Sequence, residues 1–288
     1  MKCIRVKDLV PFLLFLCLAT ICTPTRIPPN QNQPSQRSDC KRHFVLVHGA
    51  GVGAWCWYKL ATLLNSTGHN VTTLDMAASG INPKQVQQVN SFSDYVEPLI
   101  EFMESLPPKE RVILVGHSFG GASISIAMER FPQKIYVAVF VTALMPGPDL
   151  NYSTVLNEVA GKLNFLDSIF RQDNETGHPQ TSVLFGPKFV SSMFYQLSPP
   201  EDVTLAISLV RFFPIINEEI KLTKEKYGSV RRVFIVSRQD NTIKEDQQMW
   251  MIAKNPPDEV KVINGSDHMV MSSKPLELAF HLQEIAQK

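Results

Sequence analysis

The sequence predicts an α/β fold: a mostly parallel central sheet covered by helices on both faces, with a helical cap inserted late in the chain. Three observations carry this. Short β-branched apolar runs alternate with helix-compatible segments over most of the chain, the pattern of a parallel sheet buried on both faces. One of those runs, Arg111-Val-Ile-Leu-Val115, leads straight into Gly116-His117-Ser118-Phe119-Gly120, which fits G-x-S-x-G. That pattern puts a serine on a sharp strand-to-helix turn with its hydroxyl above the sheet edge. The interval 146–226 then breaks the rhythm, rich in Phe, Leu and Met and punctuated by Gly177, Pro179, Gly186, Pro199 and Pro200.

The elements follow in order. Strands are expected at 44–47, 71–74, 111–115, 135–141, 232–236 and 259–263. Helices are expected near 55–66, 92–105, 120–131 and 244–253, with a last one over 275–286. The folded domain is expected to span 43–288. Ahead of it, three basic residues within Met1–Lys7 and the apolar block Leu9–Leu18 have the order of a secretory signal over 1–22, cleaved near Ala19–Thr23. A polar, proline-rich linker over 23–42 follows, read as disordered. The apolar block is short for a bilayer span, so no stable membrane anchor is expected, and the localisation expected is secreted. Asn65, Asn70, Asn151, Asn174 and Asn264 open N-x-[ST] sequons, which such a chain offers for glycosylation. Cys40 and Cys56 are the two cysteines past the signal; a disulfide and two free thiols both remain open.

With 288 residues, 44% apolar, and a net charge of +1, the chain has room for a large core and no basic excess for nucleic acid. Function must therefore reside in a site. A serine hydroxyl needs a base and a group to orient that base, in the chain order Ser, acid, His. Downstream of Ser118 stand His178 in the cap, His281 in the last helix, and His268 in a loop leaving the last strand. His268 shares the sheet edge with Ser118 and is the base. For the acid, Asp240 follows the 232–236 strand by a short loop and is favoured. Asp267 adjoins His268 and diverges from it, and Asp75 precedes Ser118. The oxyanion donors are expected to be the backbone N–H groups of Ala50, in His48-Gly49-Ala50-Gly51, and of Phe119. His48 and His117 read as structural. Without CxxC pairs, HExxH or a phosphate-binding loop, no cofactor and no metal are expected.

HFVLVHGAG, GAWCWYKL, GHSFGG, FPQKIYVAVFV, LFGPKF, YQLSPPED, YGSVRRVFIV and SDHMVMSSKP together resemble the plant methylesterase family of the α/β-hydrolase fold, from His43 onward. The resemblance implies hydrolysis of small methyl esters, such as those of indole-3-acetate, jasmonate or salicylate. It puts the triad on Ser118, Asp240 and His268, the oxyanion donors on Ala50 and Phe119, and the acyl-pocket lining on Leu144 and Met269. The related hydroxynitrile lyases typically carry threonine at the position of Gly49, lysine at Met269 and often glutamate at His117, so cyanohydrin cleavage is not expected. A hormone receptor that keeps the triad but turns over slowly is the alternative from another class; a cap that admits no small ester is a third. Oligomeric state is not legible, and a homodimer stays open.

Overall fold

The apolar runs become the strands of one sheet, and the polar segments that follow them become loops along its carboxyl edge. The computed structural model describes residues 41–172 and 181–288. In chain order the first part holds β1 (His43–Val47), α1 (Tyr58–Ser66), β2 (Asn70–Leu74), α2 (Phe92–Ser105), β3 (Val112–His117), α3 (Gly120–Arg130) and β4 (Ile135–Val141). The inserted region holds α4 (Tyr152–Ala160), β5 (Ile169–Arg171), β6 (Ser182–Leu184), α5 (Pro187–Phe189), α6 (Pro200–Leu209) and β7 (Phe213–Pro214). The chain then returns through β8 (Arg232–Ser237), α7 (Glu245–Lys254), β9 (Glu259–Ile263), α8 (Val270–Ser273) and α9 (Pro275–Gln287).

The main sheet has six strands in the order β2-β1-β3-β4-β8-β9, and every pairing is parallel. Its central strand β3 is buried at all six positions, whereas the edge strands β2 and β9 are half-exposed. A strand covered on both faces has no polar side to show, which is why 111–115 and 135–141 read as unbroken apolar runs. Register sets the site. Val47, Gly116 and Phe140 lie abreast, as do His117 with Val141 and Val141 with Ile235, so the strands end at one level. Loops leaving the carboxyl ends of parallel strands are where such sheets bind ligands.

The expected elements are present, with two differences. The cap is helical only in part: β5, β6 and β7 form a three-stranded antiparallel sheet within it. Arg42, assigned by its sequence to the linker, is held by the domain: its N–H donates to His69 Nδ1, its Nε to the carbonyl of Ala286, and its guanidinium lies 4.0 Å from the Tyr136 ring centre. The signal segment, the linker up to residue 40, Cys40, Asn174 and His178 lie outside the described residues. Cys56 is a buried free thiol, and burial pushes its pKa well above the ordinary thiol range. Asn65, Asn70, Asn151 and Asn264 are all exposed. Among the described residues no helix is long and apolar enough to cross a membrane.

Candidate active site

The turn between β3 and α3 forces Ser118 into a left-handed backbone, φ +54°. That conformation is strained for a residue with a Cβ, and it persists only where the surroundings over-determine it. Here they do. The Ser118 carbonyl accepts hydrogen bonds from the N–H groups of Gly121 and Leu144, both at 3.0 Å. The flanking glycines let the chain close in: a Cβ on Gly120 would sit 2.6 Å from the carbonyl oxygens of both Val47 and His48. The elbow thus presses against the first loop, and Ser118 is held with 8% of its surface exposed.

Three loops meet at that serine. His268 Nε2 lies 2.9 Å from Ser118 Oγ, and His268 Nδ1 lies 2.7 Å from Asp240 Oδ2. A carboxylate only accepts, so Nδ1 carries the proton and donates to Asp240, leaving Nε2 to accept from the serine hydroxyl. Asp240 is buried and saturated: Oδ1 accepts from the N–H groups of Thr242 at 2.6 Å and Ile243 at 2.9 Å, and Oδ2 also accepts from Thr142 Oγ1 at 2.5 Å. These donors fix the plane in which it meets the imidazole.

The rival acids do other work. Asp75 accepts from the N–H groups of Ala54 and Ile81, at 2.7 and 3.1 Å, pinning the loop after β2. Asp267 is fully buried beside His268 and turned away from its ring, bonded instead to Leu197, Ser198 and Met269. Burial raises its pKa from the ordinary aspartate value.

His48 and His117 are structural, as expected. His48 Nε2 accepts from the Met76 N–H at 3.1 Å, so its Nδ1 donates to the Gly49 carbonyl at 2.8 Å. His117 Nε2 donates to the main-chain carbonyl of His268 at 2.8 Å, and the two rings are 4.7 Å apart. Burial first, then the neighbouring His268, hold His117 well below the ordinary imidazole pKa; burial likewise lowers that of His48. Both are neutral bases supporting the loops.

Among the described residues, the N–H groups of Ala50 and Phe119 find no protein acceptor. The Ala50 loop is fixed from the cap, because Gly51 offers its carbonyl to the Arg211 N–H at 2.9 Å. The Arg211 guanidinium in turn holds the carbonyls of Gly80, Asn82 and Lys84. Ala50, Ser118 and Phe119 open into a cavity of about 390 Å³, the size of a small-molecule site. Its wall is apolar, with Leu144 from the sheet edge and Phe185, Phe189, Phe194 and Phe213 from the cap. Leu144 is where it was expected. Met269 is not: it is buried but is not among the lining residues, and its N–H is engaged by Phe194 and Asp267.

Sequence reasoning missed Thr142 and Phe194. Thr142 stands just past β4 with φ +37°, an uncommon conformation for a β-branched residue. A polar residue at the carboxyl end of an otherwise apolar run was its one signal. Phe194 stacks on the His268 ring at 5.1 Å, and nothing in the sequence separates it from the other cap phenylalanines. No cluster of three or more His, Cys, Asp or Glu side chains able to hold a metal occurs among the described residues.

A buried Ser–His–Asp relay beside two free N–H groups suits acyl transfer, and comparison with known proteins agrees. The model of the alpha/beta hydrolase family matches residues 44–279. The chain belongs to that family. Within the alpha/beta hydrolases its relatives include plant methylesterases. Methyl jasmonate esterase 1 of Vitis vinifera is 56% identical over 254 residues, covering 86% of this chain and 97% of that one. Salicylic acid-binding protein 2 of Nicotiana tabacum is 47% identical, covering 86% and 98%. A tomato methylketone synthase I variant, solved in complex with β-ketoheptanoate, superposes with a TM-score of 0.83 at 50% identity over 86% of this chain and 99% of that one. This hydrolase therefore shares its fold with proteins named for different chemistries, and the choice among them rests on the residues of the site.

Proposed function

We propose that this chain is a serine carboxylesterase that cleaves small methyl esters with an apolar acid portion, of the kind represented by methyl jasmonate, methyl salicylate or methyl indole-3-acetate. The observation that carries the proposal is the unbroken hydrogen-bonded series from Ser118 through His268 to Asp240, opening into an apolar cavity. Ser118 Oγ attacks the ester carbonyl as His268 Nε2 takes its proton. The tetrahedral oxyanion is received by the N–H groups of Ala50 and Phe119, while Asp240 stabilises the imidazolium. His268 then protonates the departing methoxide, giving methanol and an acyl-serine. Water, deprotonated by the same nitrogen, releases the acid and restores Ser118. The names of the grapevine and tobacco relatives support methyl jasmonate and salicylate esters as the first candidates. Gly49 and Met269, where lyases of this fold carry threonine and lysine, support hydrolysis over cyanohydrin cleavage.

The test is multiple-turnover hydrolysis of a panel of methyl esters by the wild type and by Ser118→Ala. Turnover on at least one ester is expected, falling by a factor of about 10⁴ or more in the variant. A folded wild type that stalls after one equivalent overturns the proposal in favour of a receptor; one that turns over none of the panel favours a cap closed to small esters. We also read the chain as secreted and glycosylated, from its leader and sequons. Expression in plant cells should then release a chain beginning within 20–24 that loses mass on deglycosylation, and retention of Met1 would refute this.

A further inference from the structure

Asp267 adjoins the catalytic histidine, yet its carboxylate does not orient the imidazole. We infer that it is a positioning residue, the latch that registers the aromatic wall of the cap against His268; the inference rests on the esterase reading above. Its side chain is fully enclosed. Oδ2 accepts from the N–H of Leu197 at 2.9 Å and from Ser198 Oγ at 2.8 Å, both in the cap between α5 and α6. Oδ1 accepts from the N–H of Met269 at 3.0 Å, one residue past His268. One planar group therefore grips the cap with one oxygen and the histidine loop with the other. A second stitch runs alongside, because the Met269 N–H also points to the Phe194 carbonyl at 3.2 Å.

The consequence lies in Phe194. Its ring is stacked on the His268 imidazole, 5.1 Å between centres and 25° from parallel, and touches Phe185 and Phe189 at 5.1 and 5.0 Å. These three phenylalanines line the cavity. Whatever fixes residues 194–198 against residues 267–269 thus fixes the acyl wall against the base. The chemistry of the latch suits an acidic residue. Donors converge on both of its oxygens, the hydroxyl of Ser273 among those close by, and an acceptor-only carboxylate satisfies them. The amide of Asn in its place would turn an NH₂ group toward donors. Cement that merely stabilised the fold would leave the kinetics of the folded enzyme alone; a latch would alter which esters it prefers.

The experiment compares wild type with Asp267→Asn on two esters, p-nitrophenyl acetate, whose acyl group is too short to reach the cap wall, and the best methyl ester of the panel. Rates are normalised to active sites titrated with an organophosphonate. The ratio of kcat/KM for the larger ester to that for the acetate should fall by at least about tenfold, the low end for one hydrogen bond to a charged group. Hydrogen–deuterium exchange at the Leu197 and Met269 amides should quicken relative to the β4 amides. Ser198→Ala, which removes one of those donors, should shift both readouts in the same direction by a smaller amount, and it carries the test if Asp267→Asn does not fold. An unchanged ester ratio, or unchanged exchange, overturns the latch. A wild type inactive on every ester overturns the esterase reading instead, and the exchange measurement still judges whether Asp267 holds the cap.

Discussion

His48, just past β1, and His117, the last residue of β3, are enclosed imidazoles that the fold keeps neutral. Their folded pKa values lie below the ordinary value of 6.5, so below pH 6.5 the unfolded chain binds protons that the folded chain refuses. Proton uptake by the unfolded state alone means that stability rises with pH through this window and is lost as pH falls. Each histidine contributes a slope that approaches about 1.4 kcal/mol per pH unit once its unfolded form is protonated and its folded form is not. The carboxylates whose pKa values are lowered, such as Asp94 and Glu259, act in the same direction at lower pH. Urea midpoints should therefore fall between pH 7 and pH 5.5, and fall less in His117→Gln. Equal losses in the two proteins would refute the account. The triad was legible in the sequence because each member follows a recognisable strand, and because His268, of the three histidines downstream of Ser118, leaves a strand at the sheet's carboxyl edge. Thr142 and the work of Asp267 were not, since each depends on a partner about a hundred or seventy residues away that only the fold brings near.

The approach of α3 to the loops around it sets the limits of tolerance for whole elements. A Cβ on Gly121 would meet the Leu144 carbonyl oxygen at 2.1 Å, with backbone on both sides of the contact. Neither partner has a flexible side chain to swing aside, so α3 must shift relative to the segment that follows β4. Gly121→Ala is expected to destabilise by about 1–3 kcal/mol or more, in the range of overpacked cores. It should also slow ester hydrolysis, because the N–H groups of Gly121 and Leu144 both hold the Ser118 carbonyl. Gly228→Ala is the control: its nearest neighbours would lie at 3.7 Å, an ordinary contact, and a change within about 0.5 kcal/mol is expected. Comparable urea midpoints for the two variants would contradict this reading. The same scale explains which elements could be read in advance. Strands β1, β3, β4 and β8 are buried on both faces and announce themselves as apolar runs, whereas β5, β6 and β7 have three, three and two residues. Segments so short carry no periodicity, and their strand character resides in the neighbours they pair with.

At the scale of the molecule, the sheet edge supplies the chemistry and the cap supplies the solvent in which it happens. Ser118, Ala50 and Phe119 come from the edge, while most of the aromatic wall comes from residues whose facing could not be read from composition. Two hydroxyls in that wall are already engaged: Tyr152 donates to the Ile216 carbonyl at 3.3 Å and Thr242 to the Met193 carbonyl at 2.8 Å. Among the described residues that line the cavity, no Lys or Arg is present to meet an anion. An acid portion bearing a second ionised carboxylate must then shed its water without an ion pair in return, at a cost of several kcal/mol. A dicarboxylic acid offered as its monomethyl and its dimethyl ester isolates this term, since the two differ by one methyl group. At pH 7 the monomethyl ester should show a kcat/KM at least about 100-fold lower, which corresponds to roughly 2.7 kcal/mol. The ratio between the esters should then narrow as pH falls toward the carboxyl pKa, because the neutral form of the monoester becomes available. Taking the ratio at each pH cancels any change in the enzyme's own activity, which affects both esters alike. Equal rates at pH 7, or a ratio insensitive to pH, would mean that the acid portion is not enclosed by this wall when the ester reaches Ser118.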